Sequence, residues 1–181
     1  MTRHCSQCGT PLALARIDGR ERPQCPACGF ILYRNPAPVG LAVIEHAGQL
    51  VLIRRAAPPL AGYWAPPAGY VETGESVAEA TVREAREECG LDIALDGLVG
   101  VYSRADVNVV IIAYRAHSTG GRLAAGDDAS EACLAAPDRL PVQPVPSGGT
   151  PTDLWFHEVI EDIFAAARQC LGISRHQERV P

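Results

Sequence analysis

Apolar and polar positions alternate along the chain in a few recognisable ways. VGLAVIEH (39–46) and QLVLIRRA (49–56) are nearly continuous apolar runs separated by Ala47-Gly48, and they predict a pair of strands. DGLVGVYS, NVVIIAYRA and EACLA predict further strands downstream. From Ser76 the period changes to that of a helix. Ala78, Val82, Ala85 and Cys89 fall on one stripe expected to face the core. Ser76-Val77-Ala78-Glu79 has the S-x-x-E form of a capping box at its start, and Gly90 stands where such a helix stops. A last helix is predicted from near Asp153, because Ile160, Ile163, Phe164, Ala167 and Leu171 recur at helical spacing. PPLAGYWAPPAGY reads as a loop with a short strand, STGGRLAAGDDAS as a loop, and PDRLPVQPVPSGGTPT as irregular. Tyr33-Arg34-Asn35-Pro36-Ala37-Pro38 reads as a linker, since its prolines suit neither a helix nor a central strand.

The chain is 181 residues long, 47% apolar and 20% charged, a globular composition. That length fits one ordinary domain plus a small appendage. The net charge of −5 argues against a nucleic-acid partner, which a basic patch would announce. No apolar run reaches the roughly 18 residues of a membrane span, and MTRHCSQCGT lacks the apolar segment of a secretory signal, so a cytoplasmic location is expected. All sixteen basic residues are arginine, which rules out lysine-based phosphate loops and Schiff-base chemistry within the sequence.

Cys5-x-x-Cys8 and Cys25-x-x-Cys28 form two knuckles, each followed by a glycine. Four thiolates so spaced suit tetrahedral Zn²⁺ with no open position, a structural site. Residues 1–34 are therefore expected to form a small zinc ribbon that owes much of its folding free energy to the metal. Its place in function is open: packing, dimer formation or substrate contact.

Chemistry concentrates in REAREECGL (83–91), where Glu84, Glu87 and Glu88 share one helix face. Like charges at such spacings cost roughly 0.2–0.5 kcal/mol per pair. A solvated acidic face is the plain alternative. However, the carboxylates are clustered, and the glycine-containing PPAGYVETGE runs straight into the helix. A hard cation with oxygen ligands, Mg²⁺ or Mn²⁺, would turn the repulsion into binding.

Gly69, Glu75, then Arg83-Glu84-Ala85-Arg86-Glu87-Glu88-Cys89-Gly90-Leu91 resembles the Nudix box, G-x5-E-x7-R-E-U-x-E-E-x-G-U, where U is bulky and aliphatic. Ala85 is the one departure. The resemblance implies an α/β fold, a Nudix α/β/α sandwich with a mixed sheet, spanning residues 38–175 after the ribbon. It implies metal-dependent hydrolysis of a nucleoside diphosphate linked to a group X, and it favours a homodimer. Carried over by position, Glu84 and Glu88 would be the main ligands of Mg²⁺ or Mn²⁺. Glu87 would be a further ligand or would hold a metal-bound water. The carbonyl of Ala68 would complete the site, and Glu75 and Arg83 would brace the loop, with Gly69 and Gly90 as box glycines.

The resemblance also implies a further carboxylate from a loop after the box, as base or additional metal ligand, and GDDASEACLAAPDRLP resembles the family's acidic loop. Glu131 is the choice, with Asp127 and Asp128 as alternatives and a merely solvated loop as the bland reading. Arg54 and Arg55 are candidates for the diphosphate, and Tyr63, Trp64 and Tyr33 for base stacking; each also fits ordinary packing or a solvated edge.

The four-cysteine ribbon is similar to that of two Nudix groups. The NADH pyrophosphatases, some of which remove NAD caps from RNA, carry an S-Q-P-W-P-F-P-x-S signature absent from GVYSRADVNVVIIAY. The other group comprises ribbon-bearing hydrolases of ADP-ribose or FAD. Asp106 and Val107 stand where ADP-ribose hydrolases often carry a proline and dinucleoside polyphosphate hydrolases a tyrosine, so neither marker is present, but GYWAPPAGYVETGE and the ribbon resemble this group and imply ADP-ribose or FAD as the substrate, cut to AMP and the partner phosphate. The alternatives are NADH or NAD-capped RNA, or a catalytically idle nucleotide sensor.

Overall fold

The computed structural model describes residues 3–170. The chain divides between Asn35 and Pro36 into two units. In the first, β1 (Ala13–Ile17) and β2 (Arg20–Gln24) form an antiparallel hairpin. Its buried apolar side chains, among the described residues, are those of Cys5 and Cys25 alone. A unit with no hydrocarbon core cannot be held by apolar burial, so its cohesion must come from the cysteines.

The second unit explains why the apolar runs are continuous rather than alternating. In β3 (Ala37–His46) and β4 (Gln49–Arg55), Val39, Leu41, Val43, Leu50 and Leu52 face one core, and Ala42, Ile44, Val51 and Ile53 face another. A sheet covered on both faces needs apolar residues at every position. The first core is closed by Trp155, Val159, Ile160, Ile163 and Phe164 of α2 (Pro151–Cys170), the second by Ala85 and Cys89 of α1 (Val77–Cys89). The remaining strands are β5 (Trp64–Ala65), β6 (Ala68–Tyr70), β7 (Leu91–Ser103), β8 (Val109–Gly121) and β9 (Ala129–Ala135). Their order is β5-β4-β3-β8-β7, with β6 beside β3 and β9 beside β4. β3 and β8 run parallel and the other pairs antiparallel, so the sheet is mixed and the layers are α/β/α.

Several predicted details shift. β3 and β4 pair directly only at Glu45–Leu50 and His46–Gln49. Beyond that, β6 takes the edge of β3 and β5 the edge of β4, so the predicted loop supplies two short strands. β7 begins at Leu91, and β8 runs into the predicted loop as far as Gly121, opposite Leu91. The segment before α2 contains one 3-10 turn, Pro137–Arg139.

The α1 stripe is also rotated. Ala80, Thr81, Ala85, Glu88 and Cys89 are buried, whereas Ala78 and Val82 are only partly so. Two polar groups are admitted because each has a partner: the Thr81 hydroxyl donates to the Val77 carbonyl at 2.7 Å, and the Ala68 amide donates to Glu88 at 2.8 Å. Leu171 and the predicted domain end at 175 lie outside the described residues. Among those residues no helix is long and apolar enough to cross a membrane.

Candidate active site

The acidic helix has defined ends. Ser76 accepts from the Glu79 amide, and the Glu79 carboxylate accepts from the Ser76 amide at 2.8 Å. At the other end Gly90 adopts φ 72° and its N–H bonds the Arg86 carbonyl at 3.0 Å. A side chain there would also sit 2.6 Å from the Arg122 carbonyl, so only glycine lets β7 start at once.

One arginine organises most of the repelling carboxylates. Arg83 donates to Glu75 at 2.7 and 3.1 Å, to Glu84 at 2.7 Å, to Glu87 at 2.8 Å and to the Tyr70 carbonyl at 3.0 Å. Its hydrogen bonds, with one from the Glu72 amide, hold Glu75 down to about 2, and the same partners raise Arg83 further. Glu84 is raised by burial despite Arg83. Glu88 lies apart from the arginine. It is 5% exposed, and desolvation, aided by the charges of Glu84 and Asp128, pushes it up to about 7. Gly69 abuts the Glu84 carboxyl so closely that any side chain at 69 would overlap it.

Glu84 and Glu88 open into a cavity also lined by Ala68, Gly69, Arg55 and Asp128. Arg55 donates through Nε to the Pro59 carbonyl at 2.7 Å; burial lowers its pKa, while the charges of Glu88 and Asp128 oppose the shift. Asp128 comes from the loop that docks on the end of α1, where the amides of Gly126 and Ala124 bond the carbonyls of Glu88 and Cys89 at 3.0 Å.

Other predicted site residues stand elsewhere. Glu131, on β9, pairs with Arg54 at 2.7 Å with both side chains about half exposed, and it does not line the cavity. Glu87 faces outward with its side chain 54% exposed. Asp127 is exposed and also outside the cavity lining. The Tyr63 hydroxyl donates to the Pro144 carbonyl at 2.8 Å, and the Trp64 backbone exchanges two hydrogen bonds with the Gln143 side chain. These two residues pin the Pro-rich segment. Tyr33 sits under the Arg22 guanidinium, 4.7 Å from its ring centroid, within the first unit.

Sequence reasoning passed over Gly126 and Phe156. Phe156 lines the cavity, and its signal was available: the spacing of Ile160 and Ile163 reaches back to 156. Gly126 had no signal, because its importance is one of space. A Cβ there would overlap the Glu87 carbonyl, a backbone atom. Gly126→Ala is expected to destabilise by roughly 1–3 kcal/mol through overpacking and to move Asp128 away from the carboxylates. Thermal melts and steady-state kinetics on the variant check both effects.

In the first unit the four sulfurs of Cys5, Cys8, Cys25 and Cys28 lie within 4.8 Å of one another, with separations of 3.4–3.6 Å for three of the pairs. Sulfurs held about 2.3 Å from a tetrahedral ion would stand about 3.8 Å apart, so the set fits Zn²⁺. The two knuckles match: the amides of Gly9 and Gly29 bond the carbonyls of Cys5 and Cys25, and both glycines have φ near 75° (74° and 76°). Hydrogen bonds with Thr10 bring Cys8 down to about 6. Cys28 is pushed up to about 12, because neighbouring thiols and burial outweigh an amide hydrogen bond from Phe30. Four sulfurs gathered this closely suit a cation between them.

Taken together, the second unit is an α/β/α sandwich that presents two carboxylates of one helix to a cavity holding an arginine and a loop aspartate. The chain belongs to the NUDIX family: the NUDIX domain matches residues 34–156, and the "Nudix N-terminal" zinc-ribbon family matches residues 3–34. A NUDIX hydrolase from Nitrosomonas europaea superposes with a TM-score of 0.79 at 28% identity, covering 94% of this chain and 93% of that one. An ADP-ribose pyrophosphatase of Methanocaldococcus jannaschii is 43% identical over 107 residues, 57% of this chain and 63% of that protein. The NAD-capped RNA hydrolase NudC of Stutzerimonas stutzeri is 34% identical over 123 residues, 67% of this chain and 43% of that protein. The chain thus spans less than two thirds of the length of these curated relatives.

Proposed function

We propose that the protein hydrolyses the diphosphate bond of a nucleoside diphosphate linked to X, with ADP-ribose or FAD as the substrate. The observation that carries this reading is the buried Glu88, which makes no hydrogen bond to an arginine among the described residues, beside Glu84 and Asp128, three oxygen-donor groups facing one cavity. Such a donor set fits Mg²⁺ or Mn²⁺. Glu84, Glu88 and the Ala68 carbonyl would hold the ion, and Glu87, exposed and paired with Arg83, would be a further ligand or hold a metal-bound water. When bound, it would neutralise diphosphate charge and lower the pKa of a coordinated water.

The chain's own groups then divide the work. Arg55 binds the diphosphate through terminal nitrogens that make no hydrogen bond among the described residues. Arg83 keeps Glu84 aimed at the cavity, and Glu75 keeps Arg83 in place. Asp128 accepts the proton of the attacking water. Water oxygen bonds to one phosphorus, the bridging P–O bond breaks, and AMP leaves with the phosphate of X as its partner product. Zn²⁺ in the ribbon is structural. Its reduced thiols suit a cytoplasmic location, and the homodimer implied by family resemblance is open to sedimentation velocity.

The role of Asp128 separates from that of Glu131 by mutation. Asp128→Asn is expected to lower kcat about 100-fold, the scale of a lost general base. Glu131→Gln breaks only an exposed ion pair, and kcat should stay within a few-fold. The opposite ranking returns the base to Glu131.

The reading itself is tested by offering purified protein ADP-ribose, FAD, NADH, a diadenosine polyphosphate, nucleoside triphosphates and NAD-capped RNA with Mg²⁺ or Mn²⁺. AMP release from ADP-ribose or FAD well ahead of the rest is expected. A lead for NADH or capped RNA favours the function named in the NudC relatives. No hydrolysis with either metal overturns the proposal in favour of an idle sensor.

A further inference from the structure

The large side chains that α2 packs on the sheet end at Phe164, and Ala165-Ala166-Ala167 follow. Ala166 and Ala167 line a second cavity of about 240 Å³, with Val43 of β3, Leu50 of β4 and Val99 of β7 as its other apolar walls. Bulkier residues at 166 and 167 would fill this space and gain the dispersion contacts it forfeits. The cavity shares no lining residue with the one beside Glu84 and Glu88. Val39 lines that one and Val43 this one, so about 13 Å of strand separates them.

The remaining lining residues carry charge: Glu45, Asp96 and Arg115. Asp96 is already engaged, with His117 Nδ1 2.9 Å from its carboxylate. Glu45 and Arg115 are exposed, and neither side chain makes an ion pair or a hydrogen bond among the described residues. Strand register explains why they do not pair with each other. Arg115 stands beside Val43 on the parallel neighbour, and Glu45 lies two residues further on, beside His117. One step across the sheet and two along it put the two Cα atoms about 8 Å apart. An apolar pocket with a few placed polar groups is the usual form of a small-molecule site, and 240 Å³ falls below the roughly 300–1,000 Å³ of drug-sized ligands, so the guest is small. A guest with only negative charge would meet Glu45 and Asp96, and one with only positive charge would meet Arg115.

We propose that this second cavity binds a small zwitterion with an aliphatic tail, an α-amino acid of leucine type. Its carboxylate pairs with Arg115, its ammonium with Glu45, and its tail fills the space among Val43, Leu50 and Val99 that the α2 alanines leave. The site stands apart from the hydrolytic one, and its occupancy is read without any turnover.

Three probes of related shape test it on the full chain: L-leucine, isocaproate, which lacks the ammonium, and isoamylamine, which lacks the carboxylate. Binding is measured by calorimetry and by amide chemical shifts. Leucine is expected to bind with a Kd on the order of 1 mM or tighter. It should shift the amides of Val43, Glu45, Val99 and Arg115 and leave those of Gly69 and Glu84 in place. Isocaproate and isoamylamine should each bind about tenfold more weakly or worse, the scale of one lost charged hydrogen bond. Arg115→Gln and Glu45→Gln, both at exposed positions, should weaken leucine by a similar factor. Ala166→Leu, which fills the cavity, should abolish leucine binding. No leucine binding to the wild type overturns the proposal. Equal binding of either single-charge probe overturns it too, as does leucine binding that both charge variants leave unchanged. If Ala166→Leu melts early, the two charge variants decide by themselves.

Discussion

Glu88→Gln is expected to lower turnover by about 100- to 1000-fold while making the protein more stable at pH 8 in the absence of added Mg²⁺ or Mn²⁺. The kinetic loss follows from the several kcal/mol of charge stabilisation a divalent ion supplies, at 1.36 kcal/mol per factor of ten. The gain in stability has the same origin. A carboxyl raised from 4.5 to about 7 by burial costs the folded protein about 3 kcal/mol once it is ionised. Glutamine removes that charge, and its amide oxygen still accepts from the Ala68 amide that Glu88 engages at 2.8 Å.

The pH dependence follows from the direction of that shift. Between pH 4.5 and about 7 the folded state holds a proton that the unfolded state has released. Stability of the wild type without added divalent ion therefore falls as pH rises through that window and levels off above it. Saturating Mg²⁺ or Mn²⁺, bound by the ionised form, should recover it. Glu88→Gln should lack both the slope and the metal response, with a Tm at pH 8 roughly 5–10 °C above wild type. Thermal melts from pH 5 to 8, with and without Mn²⁺, measure this. Near-normal turnover, or a metal response that survives in the variant, would remove Glu88 from the metal site.

Cys25→Ser is expected to unfold residues 3–34 while the second unit melts as before. Cys25 is 1% exposed and, with Cys5, makes up the buried apolar set of the first unit among the described residues. Metal binding of this kind supplies on the order of 10 kcal/mol, more than a hairpin of two five-residue strands can replace. Elemental analysis should find one zinc per chain in the wild type and a deficit in the variant. Amide exchange should rise throughout β1 and β2 and stay low in β3. A wild type folded without zinc, with protected amides in the ribbon, would show that the cysteines are not its staple. Activity of the variant also bears on the ribbon's role: hydrolysis of small nucleotides at the wild-type rate would confine it to scaffold or to larger substrates.

Local signals carried much of this protein's organisation. The capping residue Ser76, the stop at Gly90, the box carboxylates and the paired C-x-x-C knuckles were legible because each depends on neighbours within a few residues. The apolar runs of β3 and β4 showed burial on both faces, and from that the layered architecture follows. Other features depend on segments distant in sequence. The roll of α1 that buries Glu88 and turns Glu87 outward was misread, because apolar spacing cannot register a carboxylate admitted by a hydrogen bond from Ala68, twenty residues earlier. Arg54 and Arg55 are adjacent and alike, yet one pairs with Glu131 across the sheet and the other turns into the cavity. Asp128, rather than Glu131, stands with the carboxylates because Gly126 lets its loop press against the backbone of α1. Residue types and their short spacings, which the chain carries by itself, determined the family, the ribbon and the acidic helix. Which charges share one cavity was decided only by tertiary packing, since a carboxylate's neighbours across space, and the water they exclude, are set by where the strands and loops meet.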